Sequence, residues 1–141
     1  MLTIGKLSQA TGVKVPTIRY YEQIGLLPPP DRSRGNQRLY DKAALDRLSF
    51  IRHSRDLGFP LDAIRELLGL ADDPGRSCTA ADEIARRQLE QVNARIARLM
   101  ALRDELGRMV RQCSNGTVGD CRVLEVLGNH AFCAHDHAGR A

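Results

Sequence analysis

The chain has 141 residues, a formal net charge of +4 at pH 7 and an aromatic content of 4% with no Trp. This length suits one domain plus an oligomerisation element, and the scarcity of large aromatic side chains argues against a large enzyme core. No apolar run approaches the roughly 20 residues of a membrane helix, and the N-terminus lacks a signal-peptide profile, so we expect a cytoplasmic protein that contacts no membrane.

The basic excess is confined to the first half of the chain. Residues 1–70 carry 11 Lys/Arg and 7 Asp/Glu, whereas residues 71–141 carry 10 of each class. Because basic surfaces attract polyanions, the first half is the part that we expect to meet nucleic acid.

Two short helices joined by a tight turn are predicted at the N-terminus. Thr3 can cap a first helix over residues 4–10 through its side-chain oxygen, and residues 11–13 are typical of a tight turn. Pro16 suits the first turn of a second helix, which we expect to end near residue 24 before Gly25. Such a pair is a helix-turn-helix pattern.

The second helix is predicted to have an inner and an outer face. Ile18 and Tyr21 are three residues apart and share the inner face. Arg19, Tyr20 and Gln23 are then available to a DNA groove. The spacing alone also fits an ordinary charged surface helix.

A basic hairpin is predicted after the proline-rich connector at residues 26–30. Gly35-Asn36 can form a two-residue hairpin turn, and Leu39 and Tyr40 anchor the return strand. The hairpin also carries side chains that can grip phosphates, namely Arg32, Arg34, Arg38 and Tyr40. A hairpin placed after a helix-turn-helix is a winged arrangement, and the alternative is a solvated basic loop.

Two further helices follow the hairpin. Asp41 can cap the third helix, whose apolar stripe consists of Ala44, Leu45, Leu48 and Ile51. We expect it to end near Gly58, with Arg52 and Arg55 on its exposed side. Phe59-Pro60 opens a fourth helix, whose apolar residues are Leu61, Ile64, Leu67 and Leu68. The sequence at residues 72–75 then breaks the chain.

One long helix is predicted over roughly residues 80–112. Its apolar positions recur at steps of three and four, with one irregular step, as in a coiled-coil seam; they are Ala85, Leu89, Val92, Ile96, Leu99, Leu102, Leu106, Met109 and Cys113. A single amphipathic helix of this length cannot bury its own stripe, so we expect dimerisation.

Three cysteines lie at the two ends of this helix. Cys78 precedes it, whereas Cys113 and Cys121 bracket a short loop after it. Thirty-five residues of helix span roughly 50 Å, so one chain cannot bring all three thiols together but two antiparallel chains can. In a reducing compartment such cysteines are metal ligands or reactive thiols rather than disulfides.

The end of the chain carries a short helix and a tail. Residues 123–127 are typical of a two-turn helix closed by Gly128. The tail beyond it holds His130, Cys133, His135 and His137. These residues could bind a second, weaker zinc-type ion, or the segment is a mobile tail.

The sequence as a whole resembles the MerR family of metal-responsive transcription regulators. The resemblance is carried by four segments: Ile4-Gly5-Lys6-Leu7, Thr17 to Glu22 with Gly25 to Pro28, Arg32 to Tyr40, and Arg52 to Phe59. It implies a mainly α fold with a winged helix-turn-helix head, a long antiparallel coiled-coil helix and a C-terminal metal-binding loop. The expected boundaries are residues 1–75 for the head, 76–112 for the coiled coil and 113–141 for the loop, short helix and tail.

The resemblance also implies a function. A homodimer would bind palindromic promoter DNA through residues that match the family motifs, namely Arg19, Tyr20, Arg32, Arg38, Tyr40 and Arg55. Metal binding would change the angle between the heads and distort the DNA so that RNA polymerase can use the promoter, a readout of DNA shape. No motif of an enzyme appears in the sequence, so we do not expect catalysis.

The metal is expected to be a soft or borderline ion held by thiolates. Cys113 and Cys121 match the family's paired loop cysteines, and Cys78 matches a position at which its divalent-metal branches carry cysteine. Three thiolates favour Zn, Cd or Pb. The short loop resembles the copper-type length, which leaves Cu(I)/Ag(I) or Hg(II) sensing as the alternative, together with a thiol-based redox or electrophile sensor.

Overall fold

A computed structural model of the protein describes residues 1–112 and 116–129. The fold is mainly helical, as predicted, and its contacts divide into two compact units, residues 1–88 and 89–141. The elements in chain order are β1 (Leu2–Thr3), α1 (Ile4–Thr11), α2 (Val15–Gln23), β2 (Asp31–Arg32), β3 (Arg38–Tyr40), α3 (Lys42–Asp56), α4 (Leu61–Ala71), α5 (Thr79–Arg111), a 3₁₀ turn (Val118–Asp120) and α6 (Arg122–Gly128).

Helices α1 and α2 form the predicted helix-turn-helix. The Lys6 amide donates to Thr3 Oγ1 at 3.3 Å, which confirms the cap that the sequence predicts. Gly12 ends α1 in the left-handed region with φ +74°, and its amide donates to the Ser8 carbonyl at 2.8 Å. Because such a φ penalises any residue with a Cβ, glycine sets the sharp turn into α2, whose first turn contains Pro16.

The hairpin belongs to a three-stranded antiparallel sheet in the order β1-β3-β2. Strand β1 was not predicted. The predicted two-residue Gly35-Asn36 turn is wrong: the Asn36 amide donates to the Ser33 carbonyl at 2.9 Å, and the Ser33 amide donates to the Gln37 carbonyl at 2.8 Å. The loop therefore has three residues, with Asn36 rather than Gly35 at positive φ, a conformation that Asn tolerates.

The core of the first unit lies among α1, α2, the sheet, α3 and α4. Its buried side chains are Leu7, Val13, Ile18, Tyr21, Leu26, Leu27, Tyr40, Leu48, Ile51, Ile64 and Leu68. The Ala44 amide donates to Asp41 Oδ1 at 2.9 Å, so the predicted cap of α3 is confirmed. Each fully buried Leu or Ile contributes about 1.5–3 kcal/mol, so this cluster is the main source of stability for the unit.

Three arginines of α3 and α4 hold the ends of the helix-turn-helix. Arg52 Nη1 donates to the Thr11 carbonyl at 2.9 Å, Arg65 Nη2 donates to the Ile24 carbonyl at 2.6 Å, and Arg47 Nε donates to the Leu26 carbonyl at 3.0 Å. These carbonyls lie at helix ends and in the connector, where backbone groups lack intrahelical partners. Arg52 is exposed on α3, as predicted, and one of its N–H groups makes this structural contact.

The predicted long helix is confirmed as α5, with 33 residues. Within the first unit, Ile84 is buried and the predicted stripe residue Ala85 is exposed. Ile84 is the large apolar side chain at this turn, so its burial removes more apolar surface from water than burial of Ala85 would. Among the described residues, no helix combines the length and the apolar character needed to cross a bilayer.

The second unit contains the rest of α5 and the helix α6. Met109 and Val126 are buried, and the buried carboxylate of Glu105 accepts from Arg108 Nη2 at 2.6 Å. Most other seam residues are exposed in the single chain, with exposed fractions of 57% for Leu89, 48% for Ile96, 62% for Leu99 and 59% for Leu106. This apolar surface needs a partner to cover it.

Candidate nucleic-acid interface and metal centre

The outer face of α2 presents the side chains that the sequence predicts. Ile18 and Tyr21 are buried, whereas Arg19, Tyr20 and Gln23 are exposed, Tyr20 by 48% of its surface. A cation and a phenol on one exposed helix can contact phosphates and base edges. The local amphipathic pattern alone was sufficient to find this face.

The tip of the wing carries two more exposed arginines. Arg34 lies in the turn with no hydrogen bond or ion pair to another described residue, whereas Arg32 Nη1 donates to the Asn36 carbonyl at 3.0 Å. That bond braces the loop and leaves the other N–H groups of Arg32 for a phosphate. The tip therefore presents two cations on a short hairpin held by its own hydrogen bonds.

Tyr40 lies in the return strand of the hairpin, as predicted, but it is buried there. Its side chain is only 1% exposed, and its hydroxyl donates to Glu22 Oε1. Burial, reinforced by this hydrogen bond, raises the pKa of Tyr40 above its ordinary value of 10.0, so the phenol stays neutral. A direct DNA contact by Tyr40 does not fit this burial, because the hydrophobic core takes the ring and Glu22 takes the hydroxyl.

Glu22 joins α2 to the wing and was missed by the sequence reasoning. Its side chain is 10% exposed, and its second oxygen, Oε2, lies 3.5 Å from Arg38 Nε. Arg38 is 29% exposed. The partners are 16 and 18 residues away in sequence, so no local pattern could have indicated the contact.

Arg55 is exposed near the end of α3, as predicted, and its Nη1 donates to the Phe59 carbonyl at 3.1 Å. The bond holds the turn between α3 and α4. Any phosphate contact by Arg55 would therefore use its remaining N–H groups.

The two described cysteines, Cys78 and Cys121, are free thiols. Cys78 is exposed immediately before α5, and its carbonyl accepts from the Asp82 amide at 2.9 Å. Cys121 is partly exposed and occupies the N-cap position of α6 with no side-chain cap hydrogen bond.

Five further candidate metal ligands were predicted from the sequence. Cys113, His130, Cys133, His135 and His137 lie outside the described residues. Among residues 1–112 and 116–129, no group of three or more His, Cys, Asp or Glu is arranged to hold a metal ion. Arg122 Nε donates to Gln112 Oε1 at 2.8 Å, so the start of α6 contacts the residue that follows α5.

Two family profiles cover most of the chain. The profile described as MerR HTH family regulatory protein matches residues 2–70, and that described as MerR, DNA binding matches residues 45–109. The first spans the helix-turn-helix, the wing, α3 and nearly all of α4, and the second extends into α5.

Individual proteins match over nearly the whole chain. The HTH-type transcriptional regulator ZntR of Escherichia coli (strain K12) is 40% identical over 131 residues, which are 90% of this chain and 92% of that protein. The crystal structure of the regulator PbrR691 from Ralstonia metallidurans CH34 in complex with lead(II) aligns with a TM-score of 0.76 and 41% identity, covering 90% of this chain and 99% of the other. The crystal structure of the regulator MerR from Bacillus megaterium MB1 in complex with mercury(II) aligns with a TM-score of 0.68 and 29% identity, covering 90% and 99%.

Proposed function

The chain belongs to the MerR family of helix-turn-helix regulatory proteins, and from this premise we propose that it is a cytoplasmic metal sensor that activates transcription from promoter DNA. Its relatives are transcriptional regulators, so it is a DNA-binding regulator and not an enzyme, as predicted. The proposed effector is a divalent soft ion, Zn, Cd or Pb, bound by thiolates of a homodimer.

The DNA-binding part of the proposal is supported by the exposed cations on α2 and the wing. Arg19 and Tyr20 would contact the major groove, and Arg32, Arg34 and Arg38 would contact phosphates beside it. Arg55 would add a phosphate contact at the end of α3. All of these side chains are at least partly exposed in the first unit.

The homodimer is supported by the apolar surface of α5 in the second unit. An open apolar face runs along the helix, formed by Leu99, Leu102, Leu106, Gly107 and Val110, with Arg103 and Arg111 beside it. The equivalent helix of a second copy would cover this face.

The single observation that carries the metal site is the placement of thiols at the two ends of α5. Cys78 lies immediately before the first residue of α5. Gln112 follows its last residue and precedes Cys113 in sequence, and its side chain accepts a hydrogen bond from Arg122, which follows Cys121. A 33-residue helix is about 50 Å long, so one site can combine Cys78 with Cys113 and Cys121 only across two antiparallel subunits.

The thiols present fit a soft divalent ion. Cys78 and Cys121 are unpaired and accessible, and thiolates select soft or borderline metals over Mg or Ca. A third thiolate from the partner subunit would raise the negative charge and favour Zn, Cd or Pb over Cu(I). The lead(II) complex of a regulator 41% identical to this chain supports this choice, and the mercury(II) complex of a 29% identical regulator keeps Hg(II) as the alternative.

Activation would depend on the shape of the promoter. In the proposed scheme the dimer occupies DNA with and without metal, and occupation of the site changes the relative orientation of the two heads. The resulting distortion would let RNA polymerase engage the promoter, with specificity drawn partly from the energy of deforming the DNA.

Induction of a reporter by Cu, Ag, Zn, Cd, Hg and Pb salts tests the choice of metal. We expect the strongest response to Zn, Cd or Pb. The Cys78→Ser variant should lose this response while it keeps DNA binding. Cys133→Ser is the matched control and should respond like the wild type. A wild-type response to Cu or Ag alone, or a Cys78→Ser variant that responds normally, would refute the divalent three-thiolate site.

Subunit complementation tests whether the site is shared between chains. Homodimers of Cys78→Ser and of Cys121→Ser should each lack an intact site. A mixed dimer of the two variants should recover one site, because the intact Cys78 of one subunit meets the intact loop cysteines of the other. Failure of purified mixed dimers to bind more Cd than either homodimer would exclude the antiparallel arrangement.

A further inference from the structure

Helix α2 carries an acidic side chain, although it is the helix proposed to contact DNA. Glu22 lies on α2, three residues after Arg19, and a carboxylate on that helix opposes the approach of phosphates. Its side chain is turned away from solvent, however, and is only 10% exposed. The negative charge is therefore used within the protein rather than presented to DNA.

Both oxygens of Glu22 are engaged by the last strand of the wing. Oε1 accepts the hydroxyl hydrogen of Tyr40, and Oε2 lies 3.5 Å from Arg38 Nε. Tyr40 is fixed by the core, with 1% of its surface exposed, so its hydroxyl defines where the carboxylate lies. The carboxylate in turn defines where the inner side of the Arg38 guanidinium lies.

Glu22 holds the Arg38 guanidinium from its inner side. Its Nε is buried and has no hydrogen-bond acceptor among the described residues, so its contact with Glu22 is ionic. The accessible 29% of the side chain consists of other atoms. A guanidinium fixed in this way loses less rotamer freedom when it binds a phosphate.

We propose that Glu22 is a positioning residue for DNA binding: together with Tyr40 it locks the wing to α2 and orients Arg38 toward the DNA backbone. This inference rests on the proposed DNA interface of α2 and the wing. It adds a role for an acidic residue whose charge, taken alone, would weaken DNA binding.

The direction in which a charge-removing variant changes the affinity for DNA separates a positioning role of Glu22 from simple repulsion of DNA. Glu22→Gln keeps the shape of the side chain and an acceptor for Tyr40 but removes the charge opposite Arg38. If Glu22 only repels DNA, the variant should bind more tightly. If Glu22 positions Arg38, binding should weaken by about tenfold, because an Arg38 that Glu22 no longer holds must be ordered when the DNA binds.

The experiment measures affinity by fluorescence anisotropy over a range of salt concentrations. The probes are a short duplex selected by the wild-type protein from a random library and a scrambled duplex of the same length. Each phosphate contact contributes about 0.9 to the slope of log K against log salt. We expect Glu22→Gln to bind the selected duplex more weakly and with a slope shallower by up to about 1.8 per dimer, one contact per subunit.

Glu66→Gln is the matched control, because it removes the same charge from an exposed position on α4. It should bind as tightly as the wild type or slightly more tightly. Tyr40→Phe, a second variant, removes the hydroxyl that fixes Glu22 and should shift affinity and slope in the same direction as Glu22→Gln. Circular dichroism and melting curves verify that each variant is folded.

A double-mutant cycle with Arg38→Gln completes the test. If Glu22 acts through Arg38, Glu22→Gln should cause no further loss in the Arg38→Gln background. Tighter or unchanged binding by Glu22→Gln, weaker binding with an unchanged salt slope, or additive losses in the cycle would each overturn the proposal. Failure of Arg19→Ala to weaken binding would instead refute the proposed interface itself.

Discussion

At the scale of the residue, position in the core changes the role that a side chain can have. Tyr40 and Tyr20 are the same amino acid in the same unit, yet Tyr40 is 1% exposed and Tyr20 is 48% exposed. Of the two, only Tyr20 is exposed enough for the direct DNA contact proposed above. Tyr40 instead contributes a buried ring and one hydroxyl, which donates to Glu22.

The raised pKa of Tyr40 predicts a loss of stability at alkaline pH. Burial, and after it the hydrogen bond to Glu22, raises the folded-state pKa above the unfolded value near 10, so the neutral phenol stabilises the fold below that pH. As the pH rises above about 10, ionisation in the unfolded state should lower the free energy of unfolding by about 1.4 kcal/mol per pH unit. Urea denaturation across this range should show the loss in the wild type.

Tyr40→Phe provides the comparison for this pH dependence. Its free energy of unfolding at neutral pH should be lower by about 1.5–3 kcal/mol, because a hydrogen bond to a charged group is removed. Above pH 10 the difference between the two proteins should shrink. Parallel curves for the two proteins would mean that Tyr40 does not titrate between the folded and unfolded states as we infer.

At the scale of the element, a few backbone positions decide the geometry of the helix-turn-helix. Gly12 ends α1 at φ +74°, and Arg52 fills the space beside it, so a Cβ at Gly12 would lie 2.2 Å from Arg52 Nη1. That same nitrogen donates to the Thr11 carbonyl at 2.9 Å. The turn thus depends on glycine both for its φ angle and for the approach of an arginine from α3.

Gly12→Ala should destabilise the head by about 1–2 kcal/mol from the left-handed conformation alone, with a further loss when Arg52 is displaced from Thr11. Gly5→Ala is the matched control, since Gly5 lies inside α1 with open space around it. It should be neutral or stabilise the head by about 0.5–1 kcal/mol. Thermal denaturation compares the two, and equal melting temperatures would contradict this account of the turn.

At the scale of the whole molecule, the exposed stripe on α5 implies that the single chain is incomplete. Leu89, Leu99 and Leu106 are each more than half exposed, which is costly for an apolar surface that continues along one helix face. The same helix separates Cys78 from the loop cysteines. Dimerisation and metal binding are therefore proposed as consequences of one feature, the length of α5.

Leu99→Glu should convert the homodimer to a monomer, because it places a charge within the exposed apolar stripe of α5. Ala94→Glu is the matched control: Ala94 is exposed and, at 3.6 residues per turn, lies opposite Val92 and Ile96. Sedimentation equilibrium should give the monomer mass for Leu99→Glu and the dimer mass for Ala94→Glu. A dimeric Leu99→Glu variant would show that the stripe is not the dimer interface.

The sequence alone determined the features that depend on near neighbours. The caps at Thr3 and Asp41, the turn at Gly12 and the exposed face of α2 are encoded within a few residues, so hydrogen-bonding groups and apolar spacing predict them directly. The repeat of apolar positions likewise predicts the length of α5.

Tertiary structure decided the features that join distant segments. Strand β1 has only two residues and exists because β3 pairs with it; the burial of Tyr40 and its bond to Glu22 arise because the core brings α2 and the wing together. Arg52 is exposed, as expected, but its bond to the Thr11 carbonyl was not predicted, because it depends on the packing of α3 on α1. Such contacts depend on which surfaces the hydrophobic core brings together, and the local spacing of apolar residues does not determine which distant segments meet.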